Sequence, residues 1–312
     1  MTINQFRFVA VIGCLGFGIV SFTCFAQRYD TISQFEIPIE LDSVVVKTGF
    51  DPSAFIRRVK NDTTFYKAFK SMHLVPFTSE NRFTALTKGG GVTGTLHTIV
   101  KQSITQPKKC RITNTTLQQS TGDFFKRNGA FRYYTAELFY NLFFSSIPVC
   151  NEHDIVAGSI VKPAGGRMEQ SKFELKQLIF NPGSKVQGIP LMGDKASIFD
   201  EDEVPKYTFK IRDEMFDSVE CIVFSIAPKP QYKNKVVYNE LTTWFRRTDY
   251  SILARNYSLS YSNILYSFDV NMKVRTAEIS NKLYPTSIKY SGFWHVITKK
   301  PEYMNVEVNI IY

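Results

Sequence analysis

From residue 207 onward, apolar and polar positions alternate in register with a pleated strand. Tyr207, Phe209 and Ile211 alternate with Thr208 and Lys210. Tyr266, Phe268, Val270, Met272 and Val274 alternate with Ser267, Asp269, Asn271 and Lys273, and Met304, Val306, Val308, Ile310 and Tyr312 mostly with Asn305, Glu307 and Asn309. A period of two puts one face of each segment in a core and the other in water. The segments 219–227, 235–246, 250–261, 282–290 and 293–299 also read as strands, with Asp249, Asn263, Asn281 and Gly292 at the turns. About eight strands are therefore expected. Their connections are too short for crossover helices, so the meander is antiparallel, and it curves into a sandwich, barrel or half-barrel.

Upstream the period changes. Phe55, Ile56 and Val59, then Phe65, Phe69 and Met72, repeat at helical spacing behind Asp51-Pro52, a good N-cap followed by a residue suited to the first helical turn. Arg57, Arg58, Lys60, Lys67 and Lys70 occupy the remaining faces, which makes a basic amphipathic helix pair. A second helical stretch is predicted from about Ala130 to Ser145, with Tyr134, Leu138, Phe139, Leu142 and Phe143 on its apolar stripe and Pro148 beyond its end. A third, shorter helix carries Phe173, Leu175, Leu178 and Ile179 before Asn181-Pro182-Gly183. Between the first two, residues 75–113 alternate weakly around a Gly89-Gly90-Gly91 turn, and residues 35–41 read as extended.

The chain has 312 residues, 44% of them apolar and 21% charged, enough to bury a large core and too mixed for a disordered or fibrous protein. Its first 26 residues have the form of a secretory signal: Arg7, the uncharged run Phe8–Val20, and Cys24-Phe25-Ala26 before polar Gln27. Cleavage after Ala26 is the preferred reading. An uncleaved anchor and lipid attachment at Cys14 or Cys24 are the alternatives. The expected organisation is a signal peptide over 1–26, a helix-containing part over 27–200 and a β-meander over 201–312, the last two in one continuous sheet-based domain. Export places the protein in the periplasm or cell envelope. Removal of Arg7 lowers the formal charge surplus by one from +10, and such a surplus favours anionic lipid or an acidic partner, nucleic acid not being expected there. Cys110, Cys150 and Cys221 survive cleavage. Cys221 lies in an apolar strand, and pairing of Cys110 with Cys150 stays undecided by sequence.

Candidate chemistry is sparse. Gly89-Gly90-Gly91-Val92-Thr93-Gly94 matches the letters of a dinucleotide fingerprint, but a β-like run follows it instead of a helix, and no acid follows until Asp123. The four histidines are scattered without ligand spacing. The four acids of Asp200-Glu201-Asp202-Glu203 read as a solvated loop. Cys150, His153 and Asp154 lie close in sequence, but neighbours on an extended strand point opposite ways. No catalytic residue, metal site or cofactor is expected.

Val236–Phe245 followed by Asp249–Ala254, a strand, turn and returning strand, and Leu283-Tyr284-Pro285-Thr286 followed by Tyr290, resemble the lipoprotein-carrier and sigma-regulator superfamily of bacterial envelopes. The resemblance covers roughly the last hundred residues. It implies an incomplete β-barrel wrapped round a helical plug, with an apolar cavity for acyl chains, and it assigns no site residue. The fold class expected is thus α+β: a strongly curved antiparallel sheet, half-barrel or open barrel, with helices on its concave face. The function expected is a non-enzymatic envelope protein that holds or senses a lipid or an acylated protein. Tyr238, Trp244, Tyr257, Tyr266, Phe268 and Trp294 are the candidate ligand pocket, and Arg57, Arg58, Lys60, Lys67 and Lys70 the candidate contact with an anionic membrane. A structural or interaction module with a filled core is the alternative, and an envelope hydrolase a weaker one.

Overall fold

The computed structural model describes residues 37, 39–41, 50–156, 180–184, 194–264, 266–297 and 300–312. The signal-like segment and the helix expected over 173–179 lie outside them. Among the described residues, eleven strands form one open, curved sheet: β1 (Ile39–Leu41), β2 (Phe77–Leu86), β3 (Val92–Thr105), β4 (Cys110–Gly122), β5 (Tyr207–Phe216), β6 (Val219–Pro228), β7 (Tyr238–Arg246), β8 (Ile252–Ser262), β9 (Tyr266–Ile279), β10 (Lys282–Val296) and β11 (Glu302–Ile311). Their spatial order is β1-β5-β6-β7-β8-β9-β10-β11-β2-β3-β4. The C-terminal strand therefore pairs with the first long N-terminal one, Val306 opposite Phe83, and joins both halves of the chain into one sheet.

Two expectations are corrected. The sheet is mixed, because β1 runs parallel to β5, with Glu40 opposite Lys210. The segments expected as two strands around a turn at Gly292 are one strand, β10, in which Gly292 pairs with Val270 and Met304. The ring of Tyr290 lies over Gly292 on the buried face, so a Cβ there would sit 2.5 Å from the tyrosine hydroxyl. The glycine serves the ring and does not end the strand. Pro285, also inside β10, sits at a register irregularity, the place where a strand tolerates a residue that cannot donate to the ladder.

The predicted alternation is realised in the burial of β5, β9 and β11. Phe268, Val270, Met272 and Val274 are buried while Asp269, Asn271, Lys273 and Arg275 face solvent. Against this dry face pack three helices. In α1 (Pro52–Lys60) the Asp51 side chain accepts from the Ala54 amide at 3.0 Å, and Phe55, Ile56 and Val59 are buried. α2 (Thr64–Met72) buries Phe65, Phe69 and Met72. α3 (Tyr134–Phe143) buries Leu138, Phe139, Leu142 and Phe143, each contributing roughly 1.5–3 kcal/mol over exposure. It begins four residues after the expected start at Ala130, at Tyr134, the first residue of its apolar stripe. A tight loop, closed by the Lys126 amide on the Ala130 carbonyl with Gly129 at φ +78, keeps the residues before Tyr134 out of the helix.

Antiparallel pairing sends alternate connections to opposite rims. The upper rim carries the connections β2–β3, β6–β7, β8–β9 and β10–β11, together with the start of β5 and the start of α3. The lower rim carries the turns β3–β4, β5–β6, β7–β8 and β9–β10. Helices α1 and α2 lie towards it, with Phe55 against Phe245 and Tyr250, and Gln102 donating to the Met72 and Val75 carbonyls at 2.9 and 2.7 Å. Cys110 and Cys150 form a disulfide at this rim, beside the paired backbones of Arg111 and Val149. Cys221 is free and buried, and burial pushes its thiol pKa up.

Candidate functional site

The β8–β9 hairpin turns at Asn263. Its side-chain oxygen accepts from the Tyr266 amide at 2.9 Å, while its own amide donates to the Tyr266 carbonyl at 2.9 Å. An asparagine closing its own turn in this way sets the register of everything below. Tyr261 stands opposite Phe268, and Phe268 opposite Trp294 on β10. Tyr261 and Tyr266 approach to 5.8 Å between ring centroids, Tyr266 and Phe268 to 6.4 Å with their planes 3° apart, and Phe268 and Trp294 to 5.0 Å. Phe268 is buried, and Tyr261, Tyr266 and Trp294 are half-buried. The result is an aromatic cluster at the upper rim, called the mouth below, continuous with the dry face, with the Lys195 ammonium 5.5 Å from the Tyr261 centroid.

One inward position below Trp294 lies Gly292, and the Tyr290 hydroxyl occupies the space its missing side chain leaves. That hydroxyl is buried without a hydrogen-bond partner among the described residues, and its ring packs 5.6 Å from Phe139 of α3. Burial raises its pKa far beyond the ordinary phenol value, with the Glu302 carboxylate adding to the effect, so it is a neutral donor. An unmet buried donor costs about 1–3 kcal/mol, so the base of the mouth has a polar group that gains from any acceptor reaching it.

The remaining pocket candidates are placed differently. Tyr238 and Tyr257 lie deep in the core. The Tyr238 hydroxyl accepts from the Gly183 amide at 2.8 Å, and burial pushes its pKa up to about 12. Trp244 is on the other face of the sheet, in a small cluster with Cys221, Val223 and Ala254, its indole donating to Glu214 at 3.1 Å. Simple alternation would put Tyr238 and Trp244 on one face. A register irregularity between Tyr238 and Glu240 shifts the parity by one and separates them. The structure thus gathers Tyr266, Phe268 and Trp294, and adds Tyr261, Tyr290 and Gly292. The pairing of Tyr290 with Gly292 has a sequence signal, an aromatic two residues before a glycine in an alternating strand, which reads equally as a turn.

The basic set lies near the opposite rim. Arg57, Arg58, Lys60 and Lys67 are exposed on α1 and α2, Arg58 stacking on Tyr250 at 4.6 Å, whereas Lys70 is half-buried and donates to the Ile155 carbonyl. Burial lowers the Lys70 pKa against the pull of Asp154 and Glu152. Cys150 is held in the disulfide and Asp154 is paired with Lys282 at 3.1 Å, so Cys150, His153 and Asp154 form no nucleophilic group. The acids before β5 also divide: Asp200, Glu201 and Asp202 are exposed, while Glu203 is buried and bound by Lys206 at 2.6 Å.

No family model and no curated protein matches this chain. Among solved structures it is similar to a DUF1329 family protein from Desulfovibrio piger ATCC 29098, over 82% of this chain and 88% of the other, at 10% identity and a TM-score of 0.24. It is also similar to a protein domain named for outer membrane lipoprotein sorting from Vibrio parahaemolyticus, over 83% and 88%, at 12% identity and a TM-score of 0.26. TM-scores this low do not define a common fold.

Proposed function

We propose that this chain is an exported, non-enzymatic envelope protein that accepts an acyl chain of a lipid or lipoprotein at the aromatic mouth on the concave side of its sheet. The observation that supports this reading is the cluster of half-buried Tyr261, Tyr266 and Trp294 round buried Phe268, above the hydroxyl of Tyr290, which has no hydrogen-bond partner among the described residues. Rings of this kind offer an apolar wall to a hydrocarbon chain, and the phenol offers one donor to an ester or amide carbonyl. The Cys110–Cys150 disulfide is consistent with an oxidising compartment outside the cytosol.

Native mass spectrometry of the protein purified from membranes tests the reading. Co-purifying lipid, lost in Trp294→Ala and reduced in Tyr290→Phe, is the expected result. A second reading is favoured by the depth of Tyr238 and Tyr257 in the core: a filled core that serves only as an interaction module. A clean unliganded mass from wild-type protein supports that alternative and overturns acyl binding.

A further inference from the structure

The turns of the upper rim differ from ordinary solvated turns. Ile264, at the tip of β8–β9, is 83% exposed, and Ile297, just after β10, is 62% exposed. Antiparallel order places β8, β9, β10 and β11 side by side, so the two isoleucines project from adjacent hairpins on one rim. A hairpin tip is the position from which a side chain gains least by packing on its own sheet, and polar residues normally fill it.

Behind the tips lies a band of aromatics on both faces of β10. Trp294 packs on Phe268 inside, and Phe293 on Tyr303 outside at 4.9 Å. The neighbouring connections on this rim carry exposed Lys88, Lys126, Arg127 and Lys300. Across residues 87–91, 123–133, 263–265 and 297–301 the sequence contains one acid, Asp123, which faces Arg132 at 3.9 Å. The acidic run Asp200–Asp202 precedes β5, which starts at this same rim, but β6 and β7 stand between β5 and the β8–β9 hairpin, so the acids lie at the other end of the rim from the isoleucine tips. Apolar tips, then half-buried Trp and Tyr, then flanking cations is the order in which a membrane interface meets a protein: acyl region, interfacial belt, anionic head groups.

We infer that the upper rim docks on an anionic lipid bilayer, with Ile264 and Ile297 entering the acyl region and Lys88, Lys126, Arg127 and Lys300 meeting the head groups. This surface is distinct from the basic faces of α1 and α2, which lie towards the lower rim. It also goes beyond acyl binding at the mouth: the rim contacts the bilayer whether or not the mouth holds a chain.

The chain has two tryptophans, and Trp244 is on the outer face in the part of β7 nearer the lower rim, so Trp294 is a built-in reporter. In Trp244→Phe protein, vesicles of equal parts phosphatidylethanolamine and phosphatidylglycerol should shift Trp294 emission to the blue, and brominated acyl chains should quench it. Ile264→Asp with Ile297→Asp should weaken this response roughly tenfold or more. Phosphatidylcholine vesicles, or added salt, should weaken it through the lost charge attraction. Reversing Arg57, Lys60 and Lys67 to Glu should leave it unchanged. If Trp244→Phe does not fold, wild-type protein gives the same readout, because Trp244 is only 8% exposed. Trp294 emission that ignores vesicles, even while the chain sediments with them, or quenching that survives the double isoleucine variant, overturns the proposal. Lipid co-purification is a separate measurement, so acyl binding and rim docking stand or fall independently.

Discussion

The two rims of the sheet are held by different means. At the lower rim the Cys110–Cys150 disulfide lies beside the paired backbones of Arg111 and Val149, and Arg111 and His73 both bind the Glu152 carboxylate. Lys282 meets Asp154 there, and buried Arg255 lies 3.7 Å from Asp62 of the α1–α2 turn. At the upper rim α3 begins without a local side-chain cap. Its first amides, of Tyr134 and Thr135, donate to the two oxygens of Glu302 at 2.8 Å each, across 168 and 167 residues of chain. One rim is cross-linked covalently and ionically, while the other holds its helix by one carboxylate. The disulfide and these ion pairs thus lie away from the surface proposed to meet a partner.

The largest effect is expected at the disulfide of the lower rim. Replacing Cys110 and Cys150 by serine opens a loop with a sequence separation of 40 and should cost about 4 kcal/mol in chemical denaturation of oxidised protein. A loss below about 1 kcal/mol would show that the ion pairs alone hold the lower rim.

Acid should loosen the same rim next. Burial by itself would raise the Glu152 pKa, but the hydrogen bonds from His73 and Arg111, with their charges, hold it at about 2. A carboxylate depressed in the fold stabilises it fully above its ordinary value, near 4.5, and loses that contribution as pH falls through about 2. The stability lost across this window should be about 2 kcal/mol, allowing for partial solvent access, and Glu152→Gln should flatten it. An unchanged acid limb in that variant would remove Glu152 from the account.

The smallest effect is expected above. Glu302→Ala should cost about 1 kcal/mol and speed hydrogen exchange at the Tyr134 and Thr135 amides, with little change in the lower strands. If it destabilised the protein as much as loss of the disulfide, the ranking of the rims would be inverted.

Much of this architecture is legible along the chain because it depends on near neighbours. A period of two over 266–274 and 304–312, helical spacing from Phe55 to Met72, and Asp51 before Pro52 all express which face of an element must leave water and where a helix can start. Asn263 and Asn281 at turns follow from the same local chemistry, Asn281 adopting φ +59. What needed tertiary structure depends on partners far apart in sequence or on parity. The pairing of β11 with β2 joins halves of the chain that no local pattern links. The cap on α3 comes from the far end of the chain, and the partner of Cys110 from a loop that passes through α3. One extra residue in β7 reverses the side on which Trp244 emerges, and the ring of Tyr290 turns a glycine that reads as a turn into the middle of a strand. Apolar periodicity determines which residues are buried, because burial follows from a side chain's own transfer free energy. Which of them meet is decided only by register, because a shift of a single residue changes every neighbour without changing the composition of the strand.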